Sequence, residues 1–139
     1  MHMAPFETDV STEMADQLVS AARTALGDEL RSIVYFTPAT FDVLYVRQDL
    51  YDADEDAREA KAQLVNLETV GFAEGPVRDA LADTEPAPIG PYQFTVRFHR
   101  DGFVTRVIQG DAGVILTTDS MDVTAFEEAA TSIRTLLTE

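Results

Sequence analysis

Two arginines and a histidine lie on either side of a hairpin signal late in the chain, and their side chains could bind an anion. Tyr92 to His99 alternates apolar and polar residues, as a half-buried strand does. Asp101-Gly102 then predicts a type I′ turn, and Phe103 to Gln109 returns as a second strand. A two-residue turn there places Arg97 directly opposite Arg106, on one face of the sheet. Opposed arginines repel each other, so the pattern predicts a negative group over the pair.

That negative group has two candidate sources. Acids on a covering helix of the same chain are the favoured source, because the sequence has 25 Asp and Glu residues against 10 Lys and Arg. The alternative is an exposed basic spot of Arg97, Arg106 and the nearby His99, which would receive a partner's carboxylates or a phosphate. His99 is expected to be exposed or to face a partner, because no nucleophile and acid accompany it as a catalytic set.

The other chemistry-bearing residues do not form a recognisable catalytic, metal or cofactor motif. There are no cysteines and only two histidines, which excludes thiolate zinc sites and cysteine nucleophiles. The acidic run from Asp52 to Asp56 is expected to begin a helix, where its charges stabilise the positive end of the helix dipole. No phosphate-binding, dinucleotide-binding or nucleophile-elbow motif is present. The sequence therefore predicts a protein that is not an enzyme and has no cofactor or metal.

The charge balance indicates a protein adapted to a high-salt environment. The formal net charge is -15, and Lys61 is the only lysine. Such a charge makes the compact state repel itself, and molar salt screens that repulsion. Because the acids are spread along the whole chain, we favour a protein of a halophilic cytoplasm over an acidic protein that docks on a basic partner. The charge argues against nucleic acid as a partner, and no apolar run is long enough for a membrane helix.

The length of 139 residues is typical of one domain. We expect a flexible lead over residues 1–10 and a single domain over 11–139. Helices are predicted from Asp9 or Ser11 to Gly27, from Asp52 onward, and after Asp119–Asp122. The second helix is expected to bury an apolar stripe, and Pro76 could open a short further helix. The predicted stripe comprises Ala57, Ala60, Leu64, Leu67 and Phe72.

Five strand candidates separate these helices. They are 31–37, 41–47, 92–99, 103–109 and 114–118, joined by short links that favour an antiparallel sheet. The order is therefore α-β-β-α-β-β-β-α, with three helices covering a five-stranded antiparallel sheet, an α+β fold.

This element order resembles the roadblock/LC7 fold of the profilin-like superfamily. The segment from Val107 to Leu116 is similar to that family's apolar strand, polar turn and apolar strand, although Pro38-Ala39-Thr40 stands where the family commonly has a glycine-bearing turn. The chain is also similar to small acidic proteins of haloarchaea. The resemblance implies a non-enzymatic homodimer that serves as a scaffold or binds a small GTPase.

Two functions from different classes therefore stay open. The first is a cytoplasmic adaptor that acts by protein–protein contact, which predicts a filled core and an exposed apolar patch. The second is a small-molecule sensor of profilin-like or PAS-like shape, which predicts an internal cavity with convergent polar groups.

Overall fold

The computed structural model describes residues 6–50, 54–82 and 89–138 of the chain. The helices are α1 (Thr12–Leu26), α2 (Asp54–Glu68), α3 (Gly71–Ala82) and α4 (Val123–Leu137), with a short 3-10 helix at Gly27–Glu29. The strands are β1 (Leu30–Phe36), β2 (Phe41–Val46), β3 (Thr95–His99), β4 (Gly102–Gln109) and β5 (Ala112–Thr118).

All five strands form one antiparallel sheet in the order β2-β1-β5-β4-β3. This confirms the predicted sheet and element order. Strands β2 and β3 are the edges, while β1, β5 and β4 occupy the middle. The predicted bounds of β3 and β5 differ from the structure, since β3 begins at Thr95 and β5 at Ala112.

The helices cover both faces of the sheet. One face of β1, β4 and β5 packs on α1 and α4 around Leu18, Ile33 and Ile133, which have no exposed surface. The opposite face packs under α2 and the start of α3, around Val34, Phe36 and Val65. The sheet therefore has a core on each side, and the second core carries the charged residues discussed below.

The second helical region differs from its prediction. Thr69 and Val70 separate α2 from α3, and the amide of Phe72 donates to the Thr69 carbonyl at 3.1 Å. The expected helix start at Pro76 is wrong, because α3 begins at Gly71 and contains Pro76 in its interior.

The outer helices begin at predicted caps. Ser11 accepts a hydrogen bond from the Met14 amide at 3.0 Å, and Asp122 accepts one from the Ala125 amide at 3.0 Å. Asp9, the other candidate cap of α1, instead accepts from the Tyr35 hydroxyl at 3.1 Å. Burial and that carboxylate together raise the pKa of Tyr35 to about 12. Residues 52 and 53 of the acidic run lie outside the described residues, and α2 begins within the run, at Asp54.

Part of the predicted N-terminal lead contacts the sheet edge. Residues 1–5 lie outside the described residues. Asp42, on β2, accepts hydrogen bonds from the amides of Glu7 and Thr8 at 2.9 and 2.8 Å, and Val10 is buried in the core.

The hairpin between β3 and β4 has a different register from the predicted one. Arg97 pairs with Val104, Arg106 pairs with Thr95, and His99 pairs with Gly102, so the turn is Arg100-Asp101. The predicted direct opposition of Arg97 and Arg106 is therefore wrong. Gly102 is the first residue of β4, and a Cβ there would lie only 2.6 Å from the Thr118 carbonyl oxygen of β5, so this strand position requires glycine. The two arginines still share one face of the sheet, as diagonal neighbours.

Candidate functional site

A glutamate at the end of α2 lies between the two arginines of the hairpin. Glu68 Oε1 is 3.0 Å from Arg106 Nη1, and Glu68 Oε2 is 2.7 Å from Arg97 Nε. The negative group expected over the arginine pair is thus supplied by a covering helix of the same chain. The side chain of Glu68 is 1% exposed and that of Arg97 is 45% exposed, so one carboxylate joins a buried arginine to one at the surface. Glu68 raises the pKa of Arg97.

Arg106 is also contacted by residues of β3 and α3. Its Nη2 donates to Thr95 Oγ1 at 3.2 Å and lies 3.6 Å from Glu74 Oε2 on α3. Gly71 at the start of α3 leaves space for this side chain, since a Cβ there would be 2.6 Å from Arg106 Cζ. Arg106 Nε has no hydrogen-bond partner within the described part of the chain. The corner between α2 and α3 is therefore attached to β4 through a buried guanidinium.

The three residues named from the sequence do not meet in one exposed spot. Arg106 is buried against Glu68, Arg97 is half-exposed beside the same carboxylate, and His99 is exposed at the end of β3. His99 instead lines a groove with Arg31 of β1, Lys61 of α2 and Arg100 of the hairpin turn. We call this groove, of about 390 Å³, the basic groove.

Lys61 and Glu68 are the site residues that the sequence did not reveal. Helix α2 buries Ala57, Lys61, Val65 and Glu68, which follow one another at helical spacing. The predicted stripe is therefore wrong in part: Leu67 is 71% exposed, because the helix is turned so that its two charged residues face the sheet. Burial lowers the pKa of Lys61 to about 8, and the positive charge of Arg31 adds to the shift. That Lys61 is the only lysine of an acidic chain is the one signal that could have indicated it.

Several large apolar residues of α2, α3 and the link between the two helices are exposed. Four large apolar residues in this region are more than half exposed. We call them the α2–α3 apolar surface; they are Leu67, Val70, Val77 and Leu81. Val77 and Leu81 are four residues apart and so lie on one side of α3. Every residue from 76 to 81 is exposed, so this half of α3 projects from the sheet.

Two further features of the described residues bear on the site. No group of three or more histidines, acids or cysteines among them could hold a metal ion. None of the helices in the described ranges is long and apolar enough to cross a membrane.

Sequence comparison places most of the chain in one family. Residues 16–138 match the model of DUF7522, described as a domain of unknown function. No curated protein matches the chain by sequence.

Comparison with solved structures identifies the fold. The chain is similar to the gliding protein MglB of Thermus thermophilus, with a TM-score of 0.52, 15% identity, and coverage of 98% of this chain and 93% of that one. It is also similar to MglB of Myxococcus xanthus, with a TM-score of 0.54, 8% identity, and coverage of 94% and 95%. These structures have a roadblock/LC7-like fold, which the chain therefore shares. At such identities the likeness establishes the fold alone.

Proposed function

The chain belongs to the DUF7522 family of domains of unknown function, and we propose that it is a homodimeric, non-enzymatic adaptor that acts by protein–protein contact. Its roadblock-type fold supports an adaptor, since the resemblance implies a dimeric scaffold whose partner class is a small GTPase. The acidic composition supports a high-salt cytoplasm as its location.

The observation that carries this proposal is the orientation of α2. The helix buries Lys61 and Glu68 and leaves Leu67 exposed to water. In a monomer, the hydrophobic effect favours the opposite arrangement, with the leucine buried and the charged residues exposed. The other three residues of the α2–α3 apolar surface are also more than half exposed. Exposed apolar patches commonly mark protein interaction sites, and a second copy of the chain would cover this one.

The sensor alternative has less support from the cavities. A sensor needs a ligand pocket that buries most of its ligand between sheet and helix. Cavities of 380–610 Å³ in the described part of the chain open to solvent. The adaptor is therefore the better-supported function.

Arg97 and His99 are the proposed contact with an acidic group of the partner. Arg97 keeps nearly half of its side chain exposed beside Glu68, and His99 is exposed two residues further along β3. Arg106 contributes to this contact only by holding Glu68, because its own side chain is buried.

The partner class can be tested by direct binding. Small GTPases from the source organism, loaded with GDP or with a GTP analogue, would be titrated into the chain by calorimetry in 2 M KCl. We expect saturable binding to one GTPase in one nucleotide state, and at least a tenfold loss of affinity in the Arg97→Gln/His99→Gln variant. The matched control is Arg134→Gln on α4, which should bind like the wild type.

Absence of binding to every GTPase would contradict the partner class. Unchanged affinity in the Arg97→Gln/His99→Gln variant would contradict the proposal that these two residues contact the partner. The adaptor role would then be tested by the oligomeric state of the chain.

A further inference from the structure

Helices α2 and α3 pack on the sheet through few apolar side chains. We call these two helices and the link between them the α2–α3 layer. Among its described side chains, Ala57 and Val65 are buried apolar residues, and Leu64 and Phe72 are partly buried in the same core. Helices α1 and α4 each bury four apolar residues in the core on the opposite face of the sheet. Because apolar burial is the main force that holds a helix on a sheet, the α2–α3 layer is held more weakly than α1 and α4.

The two helices of the α2–α3 layer are bonded to each other at their corner. Thr69 and Val70 form the link between them. The Val70 carbonyl accepts hydrogen bonds from the amides of Ala73 and Glu74 at 3.0 and 3.1 Å. The Thr69 hydroxyl donates to the Val65 carbonyl at 2.7 Å. Because these bonds do not involve the sheet, we expect both helices to leave it together.

The start of α2 is attached to the sheet edge by an exposed arginine. Arg58 Nη1 donates to the Phe41 carbonyl of β2 at 3.2 Å, and its Nη2 is 2.6 Å from Glu7 Oε2. The side chains of Arg58 and Glu7 are 38% and 64% exposed. Exposed ion pairs contribute little to stability, so this contact holds the α2–α3 layer only weakly.

The end of α2 is attached by the buried carboxylate of Glu68. It binds Arg106 of β4 at 3.0 Å and Arg97 of β3 at 2.7 Å, and Glu74 of α3 lies 3.6 Å from Arg106. Each of these ion pairs joins the α2–α3 layer to the sheet. A buried pair is costly to separate, because its charges lose their partners. Glu68 is therefore the strongest attachment of a layer that buries little apolar surface.

We propose that the α2–α3 layer opens from the sheet as one unit while the rest of the fold stays intact, and that the ion pairs of Glu68 keep it closed. Opening exposes the sheet face around Val34 and Phe36 and displaces the α2–α3 apolar surface. The opening is a property of a single chain, so it goes beyond the adaptor function and does not depend on it.

Amide hydrogen exchange of the full chain in 2 M KCl, followed by NMR, tests this opening. Away from the sheet, α2 and α3 are helices of 15 and 12 residues, which are marginally stable in water, so their amides exchange when the layer opens. We expect protection factors about a hundredfold or more lower for residues 61–68 and 72–75 than for β1 and β5, with one shared opening constant. A dimer through the α2–α3 apolar surface would slow this exchange as protein concentration rises, so two concentrations separate the opening from the proposed dimer.

Three variants distinguish local opening from global unfolding. Ile133→Val weakens the core under α1 and α4, which stays formed when the layer is open. It should lower the protection of β1 and β5 about three- to tenfold and leave that of the layer unchanged. Glu68→Gln should lower the protection of the layer about a hundredfold or more. Arg97→Gln, which keeps the buried pair, should lower it about tenfold.

The control variant is Arg100→Gln, at an exposed position in the hairpin turn, which should keep every protection factor within about twofold of the wild type. The opening is contradicted if the layer and β1 have equal protection, or if Ile133→Val lowers both equally. Different opening constants for residues 61–68 and 72–75 would contradict a single unit. Unchanged protection of the layer in Glu68→Gln or in Arg97→Gln would contradict the role of the Glu68 ion pairs.

Discussion

Replacing Glu68 by glutamine is expected to lower the free energy of unfolding by about 3–5 kcal/mol. The Glu68 carboxylate is buried, 3.0 Å from an Arg106 guanidinium that is buried as well. Glutamine has nearly the same shape, so the variant removes the charge and leaves Arg106 in the interior with only the more distant Glu74 carboxylate. Chemical denaturation in 2 M KCl measures the loss.

Two further variants separate charge pairing from packing. Arg97→Gln with Arg106→Gln should be comparably destabilising, because it leaves the Glu68 carboxylate buried without its cations. Glu68→Met with Arg106→Met should recover most of the stability, since apolar residues of similar volume often replace a buried ion pair at little cost.

The control for this series is Asp101→Asn. It breaks the exposed pair with Arg100 and should change stability by no more than about 0.5 kcal/mol. A change of that small size in Glu68→Gln would contradict the role given to the buried carboxylate.

The melting temperature is expected to rise by at least about 10 °C between 0.1 and 3 M KCl, which corresponds to roughly 2–4 kcal/mol for a domain of this size. The net charge of -15 means that acidic side chains repel one another across the surface. Salt weakens this repulsion, because the Debye length falls from ~10 Å at 0.1 M to ~3 Å at 1 M salt. Thermal unfolding followed by circular dichroism across this range measures the rise.

A charge variant tests whether screening is the cause. Glu13, Asp16, Glu127 and Glu128 are exposed on α1 and α4, and neutral amides at these positions reduce the net charge without touching the core. The variant should be more stable than the wild type at 0.1 M KCl and gain less from added salt. A wild-type melting temperature that does not rise with KCl would remove the argument for a high-salt cytoplasm.

The sheet and the outer helices could be predicted from sequence because their determinants are local. Alternating residues, short links and the capping residues Ser11 and Asp122 act within a few positions of each other. The hairpin register could not, because the glycine at position 102 allows a close approach to the Thr118 carbonyl of β5 and is not part of the turn. Sequence alone cannot show that a glycine serves a neighbouring strand instead of a turn.

The buried side of α2 was wrongly predicted for a related reason. Because leucine is apolar, Leu67 was predicted to be buried in the core. Glu68 is buried instead, because it pairs with Arg106, which is 38 residues further along the chain. Lys61 is buried in the same way next to the hairpin and Arg31. Charged residues with partners so distant in sequence leave no periodic signal, although the arginine pair did predict a negative group above it, with acids of the same chain as the favoured source.

Multi-angle light scattering in 2 M KCl tests most directly whether the chain acts as a homodimer through the α2–α3 apolar surface. The wild type should have twice the 15.3 kDa mass of the chain, and Leu67→Asp/Val77→Asp should have the mass of one chain while keeping its circular dichroism spectrum. Val123→Asp, at an exposed apolar position on α4, should remain dimeric. A wild type that stays at 15.3 kDa at high protein concentration, or a Leu67→Asp/Val77→Asp variant that stays dimeric, would contradict this account.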